Sequence, residues 1–449
     1  MTSSGRHRDQ DTGDREGAAP PVGTEDVLSD AEPAPEEDTR AAAPARARRS
    51  PWNRRRDRVI AALLAVVAVA GALLVWAGSD SRATIQETAD GPPPLPGEPA
   101  DVPATLTETW RAESPATPEP VAEESTVVTG SGGEVTGRDP RTGEVRWRYA
   151  RDLPLCTVEA EWDTALAVYR KDTGCSEVTQ LDPATGARTG QRNGDAELGT
   201  RLVGDGGHVT TTGDRLLNTW RNDLVKSLEF GRVYATVNPE RQPRPNCTYG
   251  TVAVASGRVG VIERCPNETG ARLTVLKAAG EEADEPEQVF SQMLPERTAK
   301  LVAMSGAGIA VVLPQSGQLA LYDPEGQERE RFPLDVPAAD LAREPEDGVM
   351  PTATGTEHVY WFTGSSTMAL SRKDLTPQWT VRGTLGPGTS YASRYVVPIE
   401  GGLAVLNEST GETIRTVGVD RSGHRGDVEL AAAGPVLLEQ RGGTVVALR

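Results

Sequence analysis

The chain has 449 residues, of which 37% are hydrophobic and only 4% aromatic, with 47 Gly and 34 Pro. So many turn formers suit a β protein better than a helical one. A formal net charge of -18 argues against a nucleic-acid partner, because binding a phosphate backbone needs a basic face.

Residues 1–43 hold almost no large apolar side chains, as in "TEDVLSDAEPAPEEDTR". Such a stretch cannot bury enough surface to offset chain entropy, so residues 1–58 are expected to be a disordered tail. Its end is basic, with Arg46, Arg48, Arg49, Arg54, Arg55, Arg56 and Arg58 crowded before the charge-free run "VIAALLAVVAVAGALLVW". At about 1.5 Å per residue this run, with Ala77 and Gly78, matches the ~30 Å hydrocarbon core of a bilayer. Residues 59–78 are therefore expected to form a single transmembrane helix. The arginines place its amino end in the cytoplasm, and Trp52 and Trp76 stand at the two interfaces. The chain beyond the helix would then be extracytoplasmic and held at the cell membrane. A cleaved signal peptide fits less well, because the leader is too long and no small-x-small site succeeds the apolar run.

Residues 79–103 are rich in proline ("DGPPPLPGEPADVP") and predict an extended linker. Beyond residue 121 come short β-type runs separated by Gly, Asp, Pro and Asn, with no sustained helical period. The stretch "RDPRTGEVRWRY" recurs as "LDPATGAR", "YDPEGQER" and "LNESTGETIR", with weaker forms at "RNDLVKS" and "RKDLTPQW". Turn residues align at Asp139, Asp182, Asp223, Asp323, Asp374 and Asn407, with one unit eroded near Lys277. The spacing, about 45 residues, is that of a four-stranded propeller blade. Blades stack because one sheet cannot cover both of its own faces. The last copy, "GGTVVALR", ends at Arg449 without an outer strand, and the orphan "TLTETWRAE" around Trp110 matches the missing one. Trp110 is thus expected to close the ring. Residues 104–449 predict an all-β propeller of about eight blades, with seven as the alternative.

These repeats, and "GEVTGRDPRTGEVRWRY" above all, resemble those of the pyrroloquinoline-quinone (PQQ)-like β-propellers: a glycine hairpin, an apolar strand, Asp, Thr-Gly, then Trp. That family includes quinoprotein alcohol dehydrogenases and BamB. The resemblance implies the fold but not an activity. In the dehydrogenases it implies an axial quinone stacked on Trp, a disulfide between adjacent cysteines, and a carboxylate-bound Ca²⁺. This chain has no Cys-Cys pair and no sequence cluster that would assemble the Ca²⁺ site.

Other chemical signatures are also missing: no GxSxG, HExxH or Walker motif occurs. The four histidines are scattered and there is no CxxC, so no metal ligation is expected. Cys156, Cys175, Cys247 and Cys265 all lie beyond the apolar run, and their spacing suggests the disulfides Cys156–Cys175 and Cys247–Cys265. Trp147 and Trp379 occupy the repeat's structural position and are read as packing between blades. Trp162, Trp220 and Trp361 fall outside it and are the candidates for ligand contact, with core packing as the competing reading. The acidic "AAGEEADEPEQ", Ala278 to Gln288, looks like the longest insertion and is a candidate binding loop. The expectation is a non-catalytic binding or scaffold module for an envelope protein or polymer, without cofactor or metal. A degenerate PQQ-dependent dehydrogenase or a glycan-active propeller is the alternative.

Overall fold

The computed structural model describes residues 54–449, apart from residue 124 and residues 235–238. The expected disordered tail lies outside the described residues up to 53. The chain divides into two compact units, residues 1–70 and 71–449. The helix Arg55–Ala77 begins in the first, and none of its residues is buried.

The second unit contains eight sheets, each built on four antiparallel strands. Blade 1 consists of Val121–Glu123, Thr126–Ser131, Glu134–Arg138 and Val145–Ala150, and blade 2 runs from Leu155–Glu161 to Arg188–Ala196. Blade 3 is the slightest, since its first two strands, Leu202–Gly204 and Val209–Thr211, are three residues each. Blades 4, 5, 6 and 7 begin at Thr248–Ala255, Lys300–Met304, Thr352–Thr354 and Thr389–Tyr391. Blade 8 is composite: Glu429–Ala433, Val436–Arg441 and Thr444–Leu448 are completed by Glu108–Glu113. Trp110 pairs with Ala447 and Arg111 with Val446, so the orphan segment closes the ring. The first strands of blades 1 to 5, and of blades 7, 8 and 1, touch in succession, which makes them the innermost.

The apolar core is not one mass but eight wedges, one between each pair of neighbouring blades. Strands buried on both faces read as short apolar runs, such as Ile309–Leu313 (IAVVL), which is buried throughout. The repeated turn holds itself by local bonds. In blade 1, Asp139 Oδ1 accepts from the amides of Arg141 (2.8 Å) and Thr142 (3.2 Å), and the backbone amide of Gly143 donates to the Asp139 carbonyl at 2.8 Å. In blade 2, Gly186 takes φ +73°, and a Cβ there would lie 2.6 Å from the Trp147 ring. Glycine is therefore required both for the left-handed backbone and for the indole laid on it. The Trp147 N–H donates to the Pro183 carbonyl at 2.8 Å.

Both disulfides form as spaced: Cys156–Cys175 with Cα atoms 6.1 Å apart and Cys247–Cys265 at 4.2 Å.

The stretch expected to be a linker is in part a strap on the propeller. Ile85–Glu87 adds a fifth strand to blade 1 by pairing with Val145–Ala150. Leu95 packs with the wedge between blades 8 and 1. Glu98 accepts from the Ala392 amide of blade 7 at 2.8 Å, and Val102 is 2% exposed. Proline removes donors and fixes φ, and both suit a segment that lies extended over a surface.

Candidate functional site: an acidic axial cavity

Inner strands alternate between the axis and the interblade wedges. Around the axis they leave a cavity of about 890 Å³, lined by blades 2 to 6 and 8 and by residues 115–119 ahead of blade 1. Its wall is two-sided. Blades 4, 5 and 6 present Val252, Val302, Met304 and Phe362, beside Asp340, Arg343 and Asp347 of the segment between blades 5 and 6; across the axis stand Glu119, Glu159, Arg201 and Glu429.

Arg201, just before the first strand of blade 3, lies 3.3 Å from both the Glu119 and the Glu159 carboxylates. Burial opposes its charge, but Glu159, Glu119 and Glu429 together hold its pKa above the ordinary value. Glu159, 7% exposed, is pushed up to about 8 by burial, with Arg201 opposing and Glu119 adding repulsion. Glu429 is likewise pushed up to about 8 by burial and by Glu119, again opposed by Arg201. Arg201 thus serves three carboxylates, and the other guanidinium among the described lining residues is Arg343.

An insertion between blades 5 and 6, residues 334–351, contributes to the lining and carries the short helix Ala338–Ala342. It is clamped on several sides. The buried Lys300 ammonium donates to the carbonyls of Leu341 (2.7 Å) and Arg343 (2.5 Å), Ser365 donates to Asp340, and Arg343 meets Asp427 of the segment before blade 8 at 2.6 Å. Burial lowers the Lys300 pKa. The sequence offered a cue in "VPAADLA", a proline-opened helix that interrupts the repeat. At eighteen residues between flanking strands, this insertion is longer than the acidic stretch singled out from the sequence. That stretch folds back on blade 3 instead: the Ala283 carbonyl accepts from the Glu229 amide at 2.7 Å, and Asp284 pairs with Arg241 at 3.0 Å.

The tryptophans fall elsewhere. Trp220 and Trp361, each 1% exposed, pack in the wedges between blades 2 and 3 and between blades 5 and 6. Trp162 sits half-buried in a blade 2 hairpin at φ +55°. None of the three lines the cavity.

No protein-family model matches the chain, and no curated protein matches it either. Solved structures do. The computationally designed protein Ika8 is 13% identical, with a TM-score of 0.51 over 78% of this chain and 99% of its own. BamB from Moraxella catarrhalis is 16% identical, with a TM-score of 0.47 over 77% of this chain and 100% of its own. PorZ, a bacterial surface component of the type-IX secretion system of Porphyromonas gingivalis, is 13% identical, with a TM-score of 0.43 over 76% of this chain and 46% of its own. At such identities the likeness is one of fold, and the fold is a β-propeller with the eight blades that the repeats predict.

Proposed function

We propose that this is an envelope-associated protein, anchored by one transmembrane helix with its amino end in the cytoplasm. Its extracytoplasmic propeller would be a non-catalytic binding or scaffold module for an envelope protein or polymer. The observation that carries the reading is the pairing, on one chain, of an apolar helix, free of charge from Val59 onward and without buried residues, and a propeller stapled by two disulfides. Disulfides persist in oxidising compartments, and the arginines before the helix orient it. Eight rigid blades offer loop-bearing faces and an axial cavity, which is what a binding scaffold needs. The test is crosslinking of the full-length protein in intact cells and identification of the molecules it retains, with thiol-reactive labelling of single cysteines added at each end to report topology. Labelling of an added N-terminal cysteine from outside the cell would defeat the topology. Failure to retain any envelope protein or glycan would defeat the scaffold reading.

A further inference from the structure

We propose that the axial cavity binds a linear aliphatic oligoamine, a chain carrying two or more ammonium groups. Glu159, Glu429 and Glu119 would meet the charges, and Val252, Val302 and Met304 the methylenes. This goes beyond the scaffold reading and does not depend on it.

Four observations carry it. The first is charge balance: Arg201 contacts two of the three glutamates, and the other lining guanidinium, Arg343, is paired with Asp427. Burial not matched by positive charge pushes the carboxyls of Glu159 and Glu429 up to about 8. The second is spacing. Among the described residues, no three carboxylates have oxygens all within 4.8 Å of one another, so the acids are too dispersed to close around one metal ion. A chain with separated ammonium groups can meet them one at a time. Third, Val252, Val302, Met304 and Phe362 line the opposite side, which suits the alkyl segments between amines. The volume of about 890 Å³ falls in the range of small-molecule sites, about 300–1,000 Å³. Fourth, Thr157 lines the cavity at 2% residue exposure. Its enclosed hydroxyl lies near enough to Glu159 to favour the charged form, so it supports the carboxylate that an ammonium would meet.

Binding must expel protons. Glu159 faces Arg201 and Glu119; Glu429 faces Glu119, Arg201 and Asp427. An arriving ammonium lowers both raised pKa values, so affinity increases as pH rises toward about 8. The experiment is calorimetric titration of spermidine into full-length protein held in phosphatidylcholine nanodiscs, which carry no net lipid charge to attract the amine. Runs at pH 7.5 in two buffers of different ionisation enthalpy measure the protons released. The expected result is saturable binding of one spermidine per chain with net proton release. Glu159→Gln with Glu429→Gln should weaken it at least tenfold and abolish the release, while Glu285→Gln on the outer acidic loop leaves both unchanged. Absence of saturable binding, equal affinity in the double variant, or binding without proton release would each overturn the proposal. So would Ca²⁺ displacing spermidine at equal or lower concentration. A trilysine peptide binding more tightly than spermidine would reassign the site to a basic protein segment.

Discussion

The seam between blades 1 and 2 and the seam between blades 2 and 3 solve the same packing problem with the residues exchanged. In the first, Trp147 of the outer strand lies on Gly186 of the next blade's turn. In the second, the outer strand carries Gly190 where the tryptophan would stand, and the turn carries Leu224, whose Cδ1 would lie 3.3 Å from a Cβ at Gly190. Leu224 is forced to φ +59°, a region that a branched side chain rarely occupies. The exchange forfeits an indole hydrogen bond and introduces backbone strain. Trp110 on Gly143 and Trp379 on Gly411 repeat the first arrangement, and Phe290 on Gly326 repeats it without the N–H. Blade 3 has no such ring on its turn. It is flanked instead by the two blades that carry disulfides. We read the disulfides as offsetting the weaker seams.

The comparison can be broken first at its strong side. Trp147→Ala removes a ring that is 1% exposed and should cost about 3–5 kcal/mol, the range for buried Trp or Phe truncation. Urea unfolding of the full-length protein in detergent would measure it. A loss below that of a surface substitution would mean that the indole does not hold the seam. At the weak side, reducing the bridges, which span separations of 19 and 18 residues, should cost about 3 kcal/mol each on a chain-entropy account. Hydrogen exchange tells the two sides apart: after reduction, amides of Leu216–Trp220 in blade 3 should lose protection before those of Glu134–Arg138 in blade 1. Uniform loss would refute a compensating role. Smaller still is Gly186→Ala. The new Cβ meets the Trp147 ring and a positive φ, and overpacking of this kind costs about 1–3 kcal/mol. The double variant with Trp147→Ala should recover the steric part.

These features differ in how far they can be read from the chain. Asp139 and Gly143 form one local turn whose hydrogen bonds need no distant partner, and Trp147 follows at a fixed spacing, so the repeat, the blade count and the role of Trp110 are visible in the letters. The strap is not, because "GPPPLPGEP" has the composition of a free linker, and contacts such as those of Leu95, Glu98 and Val102 with the blades reveal otherwise. The axial site is hidden for a related reason. Glu119, Glu159, Arg201 and Glu429 come from four segments up to 310 residues apart, and no spacing rule joins them. The signal in the chain was Glu159 itself, a carboxylate between Val158 and Ala160 within a strand otherwise suited to burial. A charge in an innermost strand has only the axis to face.

The pH response offers the finest test, because it sets the axis against the wedges. Glu159 and Glu429 are raised from 4.5 to about 8 in the folded chain, whereas the unfolded chain releases those protons near 4.5. The stability they contribute is therefore complete below about 4.5 and is lost as pH rises through about 8. Asp139 behaves oppositely: although burial raises its pKa, hydrogen bonds from Arg141 and Arg146 leave it below the ordinary value, so its contribution is lost only on acidification. Melting temperature should thus fall between pH 5 and pH 8.5 in the unliganded protein, and Glu159→Gln with Glu429→Gln should flatten that fall. Melts that track the parent across this window would show that the axial carboxyls are already ionised. Spermidine should raise the melting temperature more at pH 8 than at pH 5.5, since the empty axis lacks cations most when its acids have lost their protons.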